Sequence, residues 1–231
     1  MSGTAPILDD LAADRRRRQR LIRQLTAALP NLEPRFLAAF EAVPRHHFLP
    51  EILRAQAYDN CPLGIGAGQT ISQPEVVLHM LALLDPQPGQ VVLDLGCGSG
   101  WVSALLAQLV GPTGLVVATE RHASLLSSAR RVLAAYADQE RGAMISLALA
   151  GSAPGYPDHA PYDRIHVGCC APGGIPLELL SQLAAPGRMV IPVGQHGGDQ
   201  RLQLLIKDVD GHNQQQELDP VLFVPLLPGG D

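Results

Sequence analysis

Apolar residues first recur at helical spacing between Arg15 and Leu29, where Leu21, Ile22, Leu25 and Leu29 share one face. Arg15 to Arg18, Arg20 and Arg23 cover the remaining surface and read as a solvated helix face. Residues 1–14 are small, polar and acidic, the composition of a frayed terminus. After Pro30 and Pro34, Phe36, Leu37, Phe40 and Val43 repeat on a second short helix ending near Pro44. From Pro44 to Gly68 no period persists and Pro, Gly and His are frequent, so a long ordered loop with short pieces of structure is expected. A third helical pattern runs from Glu75 to Leu84.

Beyond Leu84 the two periods alternate. Short apolar runs predict strands over Val91 to Leu95, Leu115 to Thr119, Ile145 to Ala150, Arg164 to Gly168 and Gly187 to Val193. Helical patterns between them cover Val102 to Val110, Ser124 to Tyr136 and Pro176 to Leu183. Leu202 to Val209 and Val221 to Leu226 read as the closing strands. This alternation predicts an α/β fold, a doubly wound, mostly parallel seven-strand Rossmann-like sheet with antiparallel edge strands and an N-terminal helical cap. Residues 15–74 would form the cap and a loop, and residues 75–231 the sheet domain.

Composition narrows the function classes. The 231 residues are 46% hydrophobic and 17% charged, against about 25% charged in an average globular protein, so the chain folds around an apolar core. A net charge of −5 and only 4% aromatic residues disfavour a nucleic-acid partner, which needs cations for phosphates and rings for bases. No apolar run reaches the roughly 18 residues of a membrane span, and residues 1–14 lack the basic start and apolar core of a secretory signal. A cytoplasmic protein without membrane partners is expected. Cys61, Cys97, Cys169 and Cys170 form no C-x-x-C pair and have no spaced His partner, so neither a metal site nor a disulfide framework is indicated.

The strongest local signal for chemistry is the run Val91 to Gly100, VVLDLGCGSG, an apolar strand entering a Gly-rich turn ahead of a helix. Glycines there let the backbone turn tightly and approach a ligand at the carboxyl end of the strand. The spacing is G-x-G-x-G, with Trp101 where a dinucleotide fingerprint requires its last glycine, which points to S-adenosylmethionine rather than NAD. Twenty residues past Gly100, Glu120 closes the next strand, where an acid accepts hydrogen bonds from both ribose hydroxyls. No G-x-S-x-G elbow surrounds Ser99 and no P-loop lysine follows the glycines, which weakens hydrolase and phosphotransferase readings.

Three further strings add specificity: Val43 to Pro50 (VPRHHFLP), Tyr58, and Pro62 to Pro74 with its Gln-Thr-Ile-Ser-Gln-Pro ending. With the Gly-rich strand, Tyr156 to Asp163, Gly187 to Gly194 (GRMVIPVG) and Phe223 to Leu226, they make the chain resemble the protein-L-isoaspartate O-methyltransferases over roughly residues 15 to 227. The resemblance implies a class I methyltransferase fold. It also implies transfer of a methyl group from S-adenosyl-L-methionine to the α-carboxylate of L-isoaspartyl residues in damaged proteins and peptides, leaving S-adenosyl-L-homocysteine. The ester then closes to a succinimide, the first step of repair.

The same resemblance assigns roles. Ser72 matches the family's active-site serine and would donate a hydrogen bond to the substrate carboxylate or order the cofactor pocket, although a serine capping the helix that begins near Glu75 fits the position too. Gln69, Thr70 and Ile71 would line the cofactor or substrate side, facing Asp94, Gly96, Gly98, Ser99 and Glu120. Pro192, Val193 and Gly194 resemble the family's segment near the substrate peptide, with Ile71 beside it, and equally fit a purely structural strand end. His46, His47, His159 and His166 read as core or surface histidines, because a carboxylate already ionised at pH 7 requires no base. Two departures stand out. Gly151-Ser152-Ala153 replaces the family's Gly-Asp-Gly, putting a neutral hydroxyl where an Asp meets the adenine amino group, and Cys169-Cys170 replaces small alanines. Two other readings stay open: the same chemistry on an ordinary Asp of a dedicated peptide, and a cofactor-binding relative with weakened catalysis. A monomer is expected.

Overall fold

The computed structural model describes residues 10–137, 142–195 and 197–227. Its first helix, α1 (Ala12–Ala28), buries Leu21 and Leu25 as the spacing predicts. It begins at Ala12, inside the stretch expected to fray; residues 1–9 of that stretch lie outside the described residues. The arginine face is not uniformly solvated, because Arg18 is buried and donates to Asp10, Glu41 and the Tyr58 hydroxyl. Asp14, also buried, accepts from Arg54, so ion pairs tie α1 to the turn at Glu51–Gln56. A charge run on an otherwise exposed helix gives no sign of which arginine meets a partner across the fold.

Helix α2 (Pro34–Ala42) starts on a proline at its first position, where the missing N–H costs nothing. Two short 3-10 turns, Arg45–Phe48 and Glu51–Gln56, follow, and then a small antiparallel hairpin, β1 (Leu63–Gly66) and β2 (Gln69–Ile71). This hairpin occupies the stretch expected as loop. It is three to four residues per strand and glycine-rich, too short for alternation to show. Helix α3 (Pro74–Leu84) comes next, with Val77, Leu78, Met80, Leu81 and Leu84 buried.

The main sheet holds β3 (Val91–Leu95), β4 (Leu115–Glu120), β5 (Met144–Leu149), β6 (Tyr162–Val167), β7 (Leu183–Gly194), β8 (Gln200–Lys207) and β9 (Asn213–Pro220). Their order is β5-β4-β3-β6-β7-β8-β9, the first five parallel and the last two antiparallel. Between them run α4 (Trp101–Val110), α5 (Ala123–Ala137) and the short α6 (Leu177–Gln182). The cores explain the layers: α1 to α5 bury Leu25, Phe40, Leu81, Leu105 and Leu133 on one face, while α6 and Tyr162 close the other over Leu93, Val117 and Ile165. Among the described residues no helix is long and apolar enough to cross a membrane.

The last strand differs from the sequence expectation. Val221 to Leu226 is irregular backbone held by bonds from Cys170 N to Val224 O and from Leu226 N to Cys170 O, and the seventh strand is Asn213–Pro220. That strand, NQQQELDP, lies almost wholly exposed at the sheet edge, so it has no apolar alternation to read. The apolar run after it packs Phe223, Val224 and Leu226 against the core as a tail.

Candidate active site

Chain order reverses between β3 and β6, which pair directly in parallel while β4 and β5 lie to one side and β7 to β9 to the other. A doubly wound sheet opens a crevice at the carboxyl ends of such strands. Here the turn after β3 shapes it. Gly96 and Gly98 have φ of +78° and +55°, and a Cβ on Gly98 would sit 3.1 Å from Ile65 of β1. Gly96 N and Cys97 N both donate to Thr119 O, which locks the turn onto β4.

An open cleft results, walled by the Gly-rich turn, the end of β4 and the start of β2. Gln69 and Thr70 line one side, Gly96, Gly98, Thr119 and Glu120 the floor, and Gly151, Ser152 and Cys169 the far wall. Val224 to Leu227 of the tail close it. Glu120 is 5% exposed, and its two oxygens accept from Gly98 N at 3.0 Å and His122 N at 2.8 Å. A carboxylate has about four acceptor positions, so two remain for a ligand's hydroxyls. Thr119 Oγ1, on a residue of the lining, is buried without a partner among the described residues. A glycine cradle, a half-engaged carboxylate and an unpartnered hydroxyl fit an adenosyl cofactor with its ribose on Glu120.

A smaller recess adjoins the cleft, sharing Thr70, Gly96, Gly98 and Gly168 with it. Ile71, Ser72, Asp94, Ser99, Trp101 and His166 are among its other walls. Asp94 is wholly buried; its carboxylate accepts from Ser103 Oγ at 2.6 Å and pairs with His166 Nδ1 at 2.8 Å. Asp94 therefore braces the base of the recess, with both oxygens already engaged. Ser72 is half-buried, and its hydroxyl makes no hydrogen bond among the described residues. It does not cap α3: the residue before Pro74 is Gln73, and Asn60 takes the capping part, its Oδ1 accepting from Glu75 N and its Nδ2 donating to Glu75.

Of the remaining sequence candidates, Pro192, Val193 and Gly194 line neither cavity. They are fixed to the neighbouring segment by bonds from Ala171 N to Pro192 O, Gly194 N to Ala171 O and Cys170 Sγ to Gly194 O. His46 and His47 pair with the hydroxyls of Tyr58 and Tyr136, and His159 stacks on Tyr156, so these three are structural. His166 has a larger part than its sequence suggested, as the partner of Asp94. Parallel register puts the two residues side by side, a relation no local spacing reveals. Burial pushes the thiols of Cys97 and Cys169 well above the usual range, so both remain neutral walls.

Comparison with known proteins agrees with this geometry. The sequence model of the family described as Protein-L-isoaspartate(D-aspartate) O-methyltransferase (PCMT) matches residues 16–230. A protein-L-isoaspartate O-methyltransferase of Aeropyrum pernix is 46% identical over 96% of this chain and 84% of its own length. One of Methanopyrus kandleri is 42% identical over 92% of both chains. Among solved structures, a protein-L-isoaspartate O-methyltransferase superposes with a TM-score of 0.79 at 23% identity, covering 90% of this chain; this chain spans 65% of that one. A Plasmodium falciparum structure, described as a putative member in complex with S-adenosyl-L-homocysteine, gives a TM-score of 0.77 at 22% identity over 91% of this chain and 98% of its own.

Proposed function

The chain belongs to the protein-L-isoaspartate O-methyltransferase family, and we propose that it methylates the α-carboxylate of L-isoaspartyl residues in proteins and peptides, using S-adenosyl-L-methionine. The observation that carries the reading is a juxtaposition: the Gln69 to Ser72 string and the Gly-rich turn with Glu120 border one continuous cleft and recess. When bound, the cofactor supplies a methyl group already activated on a sulfonium. The chain's own work is then to bind, orient and exclude water.

Glu120 would hold the ribose hydroxyls with its two free acceptor positions. Gly96 and Gly98 allow the backbone close approach, and Gly151 and Ser152, on the far wall, would meet the adenine. Gln69, Thr70 and Ile71 close the opposite side, and Ser99 and Asp94 support the turn and the base of the recess. Ser72 donates its unengaged hydroxyl to the substrate carboxylate. That carboxylate has an ordinary pKa near 4 and arrives ionised at pH 7, so no residue has to remove a proton. Pro192, Val193 and Gly194 line neither cavity and bond to Ala171, so they serve as a structural strand end and not as substrate contacts.

The test is radiolabelled methyl transfer to an isoaspartyl peptide by the wild type and by Ser72→Ala, with adenosylhomocysteine binding measured on both. We expect a rate loss of about tenfold to a hundredfold, the value of a hydrogen bond to a charged group, at nearly unchanged cofactor affinity. Unchanged turnover would remove Ser72 from the mechanism.

A further inference from the structure

Arg45 stands in the 3-10 turn Arg45–Phe48 and is 1% exposed. Among the described residues it has no ion pair. Its guanidinium instead donates to five backbone carbonyls. Nη1 reaches Ala57 O at 2.8 Å and Asp59 O at 3.4 Å; Nη2 reaches Cys61 O at 2.9 Å, Ile71 O at 3.4 Å and Ser72 O at 3.0 Å. The group also lies 5.4 Å from the ring of Trp101, whose Nε1 donates to Val43 O. One side chain thus ties the segment 57–61, the end of β2 and the first residue of α4 to a single point.

A buried cation without a carboxylate is costly, and carbonyl dipoles offset only part of that cost. An apolar side chain with the loop's carbonyls turned to other donors would avoid it, so the charge calls for an explanation. Of the residues Arg45 touches through these five carbonyls and the Trp101 ring, Ile71, Ser72 and Trp101 are walls of the recess. Among the described residues no Lys or Arg lines that recess, whereas Asp94 does. A substrate carboxylate entering there meets a protein of net charge −5 and a carboxylate at its base, and the balancing charge stands directly behind the wall.

We propose that Arg45 is a positioning residue for the methyl acceptor: it fixes the backbone of Ile71 and Ser72, and its unpaired charge makes the recess select a carboxylate over a neutral amide. This rests on the isoaspartyl reading of the site. The two contributions separate by substitution. Arg45→Lys keeps a charge but cannot reach five carbonyls with one ammonium, and Arg45→Met keeps the bulk and removes both charge and fork.

The experiment titrates two peptides calorimetrically onto the adenosylhomocysteine complex of the wild type and both variants. One peptide carries the isoaspartyl α-carboxylate and the other the corresponding α-carboxamide; kcat and KM are measured with the first. For the wild type we expect at least tenfold tighter binding of the acid. Arg45→Met should bind adenosylhomocysteine within about threefold of wild type yet lose the preference for acid over amide. Arg45→Lys should retain most of that preference while kcat falls tenfold or more, because Ser72 is no longer held. If Arg45→Met binds adenosylhomocysteine and still prefers the acid as the wild type does, the charge role is wrong. If Arg45→Lys turns over at the wild-type rate, the positioning role is wrong, and this holds even if Arg45→Met fails to fold. A wild type that binds adenosylhomocysteine but neither peptide contradicts the isoaspartyl reading itself, and the inference falls with it.

Discussion

Replacing Glu120 by Gln isolates the floor of the cleft, because the side chain keeps its shape while one acceptor oxygen becomes a donor. In the native protein the two oxygens are held by Gly98 N at 3.0 Å and His122 N at 2.8 Å. Whichever way the amide turns, its NH2 faces one of those N–H groups. One backbone donor then loses its partner in a residue that is 5% exposed, which costs about 1–3 kcal/mol of folding stability. That loss is present with and without ligand, so it largely cancels in binding. What does not cancel is the ribose: one hydroxyl loses a charge-assisted acceptor, worth about 1.5–3 kcal/mol, or about tenfold to 150-fold in affinity. The assay is calorimetric titration of adenosylhomocysteine and of its 2′,3′-dideoxy analogue, with urea unfolding of both proteins alongside. Glu120→Gln should lose affinity for the natural ligand and little for the dideoxy analogue. Equal losses for the two ligands, or binding within threefold of wild type, would refute the assignment of Glu120 to the ribose.

Other expectations follow from packing and burial. Gly100→Ala should lower stability by about 2–4 kcal/mol in urea unfolding, since its φ is +86° and the new Cβ would stand 2.8 Å from Leu133 Cδ1. Burial raises the Tyr58 hydroxyl from 10.0 to about 12, so the stability contributed by its neutral form is complete below pH 10 and disappears as pH rises through about 12. Tyr136 shifts the same way, and a pH series of unfolding midpoints that stayed level through this window would contradict both. Iodoacetamide at pH 8 should label half-exposed Cys61 before Cys97 or Cys169, whose thiols burial keeps protonated; mass spectrometry of the folded protein reads the order.

Which parts of the molecule were legible in sequence follows from the range of the interaction concerned. The parallel strands β3 and β4 are buried on both faces, so they show as apolar runs within one residue of their true bounds, whereas β6 carries Asp163, Arg164 and His166 and starts two residues before the expected Arg164. The turn after β3 and Glu120 are tied by a bond across 22 residues, yet both announce themselves, one by glycines and the other by closing a strand. Strand β9 has the opposite character: an exposed edge needs only backbone partners, and its glutamines carry no pattern. Asp94, Ser103 and His166 meet because β3 pairs with β6 and α4 folds back over them. Arg45 stands in the string VPRHHFLP with no local sign of burial, and only the path of segments 57–61 and 71–72 around it shows that it is enclosed.

The catalytic claim is that this cleft and recess accept an isoaspartyl carboxylate and methylate it. Its most direct measurement pairs two peptides of identical composition, one with an L-isoaspartyl residue and one with a normal L-aspartyl residue, incubated with enzyme and S-adenosylmethionine. Intact mass and fragmentation then show which carboxylate gains a methyl group. The account predicts an ester on the isoaspartyl peptide, with its succinimide following, and none on the aspartyl twin. Methylation of the aspartyl peptide alone would contradict it.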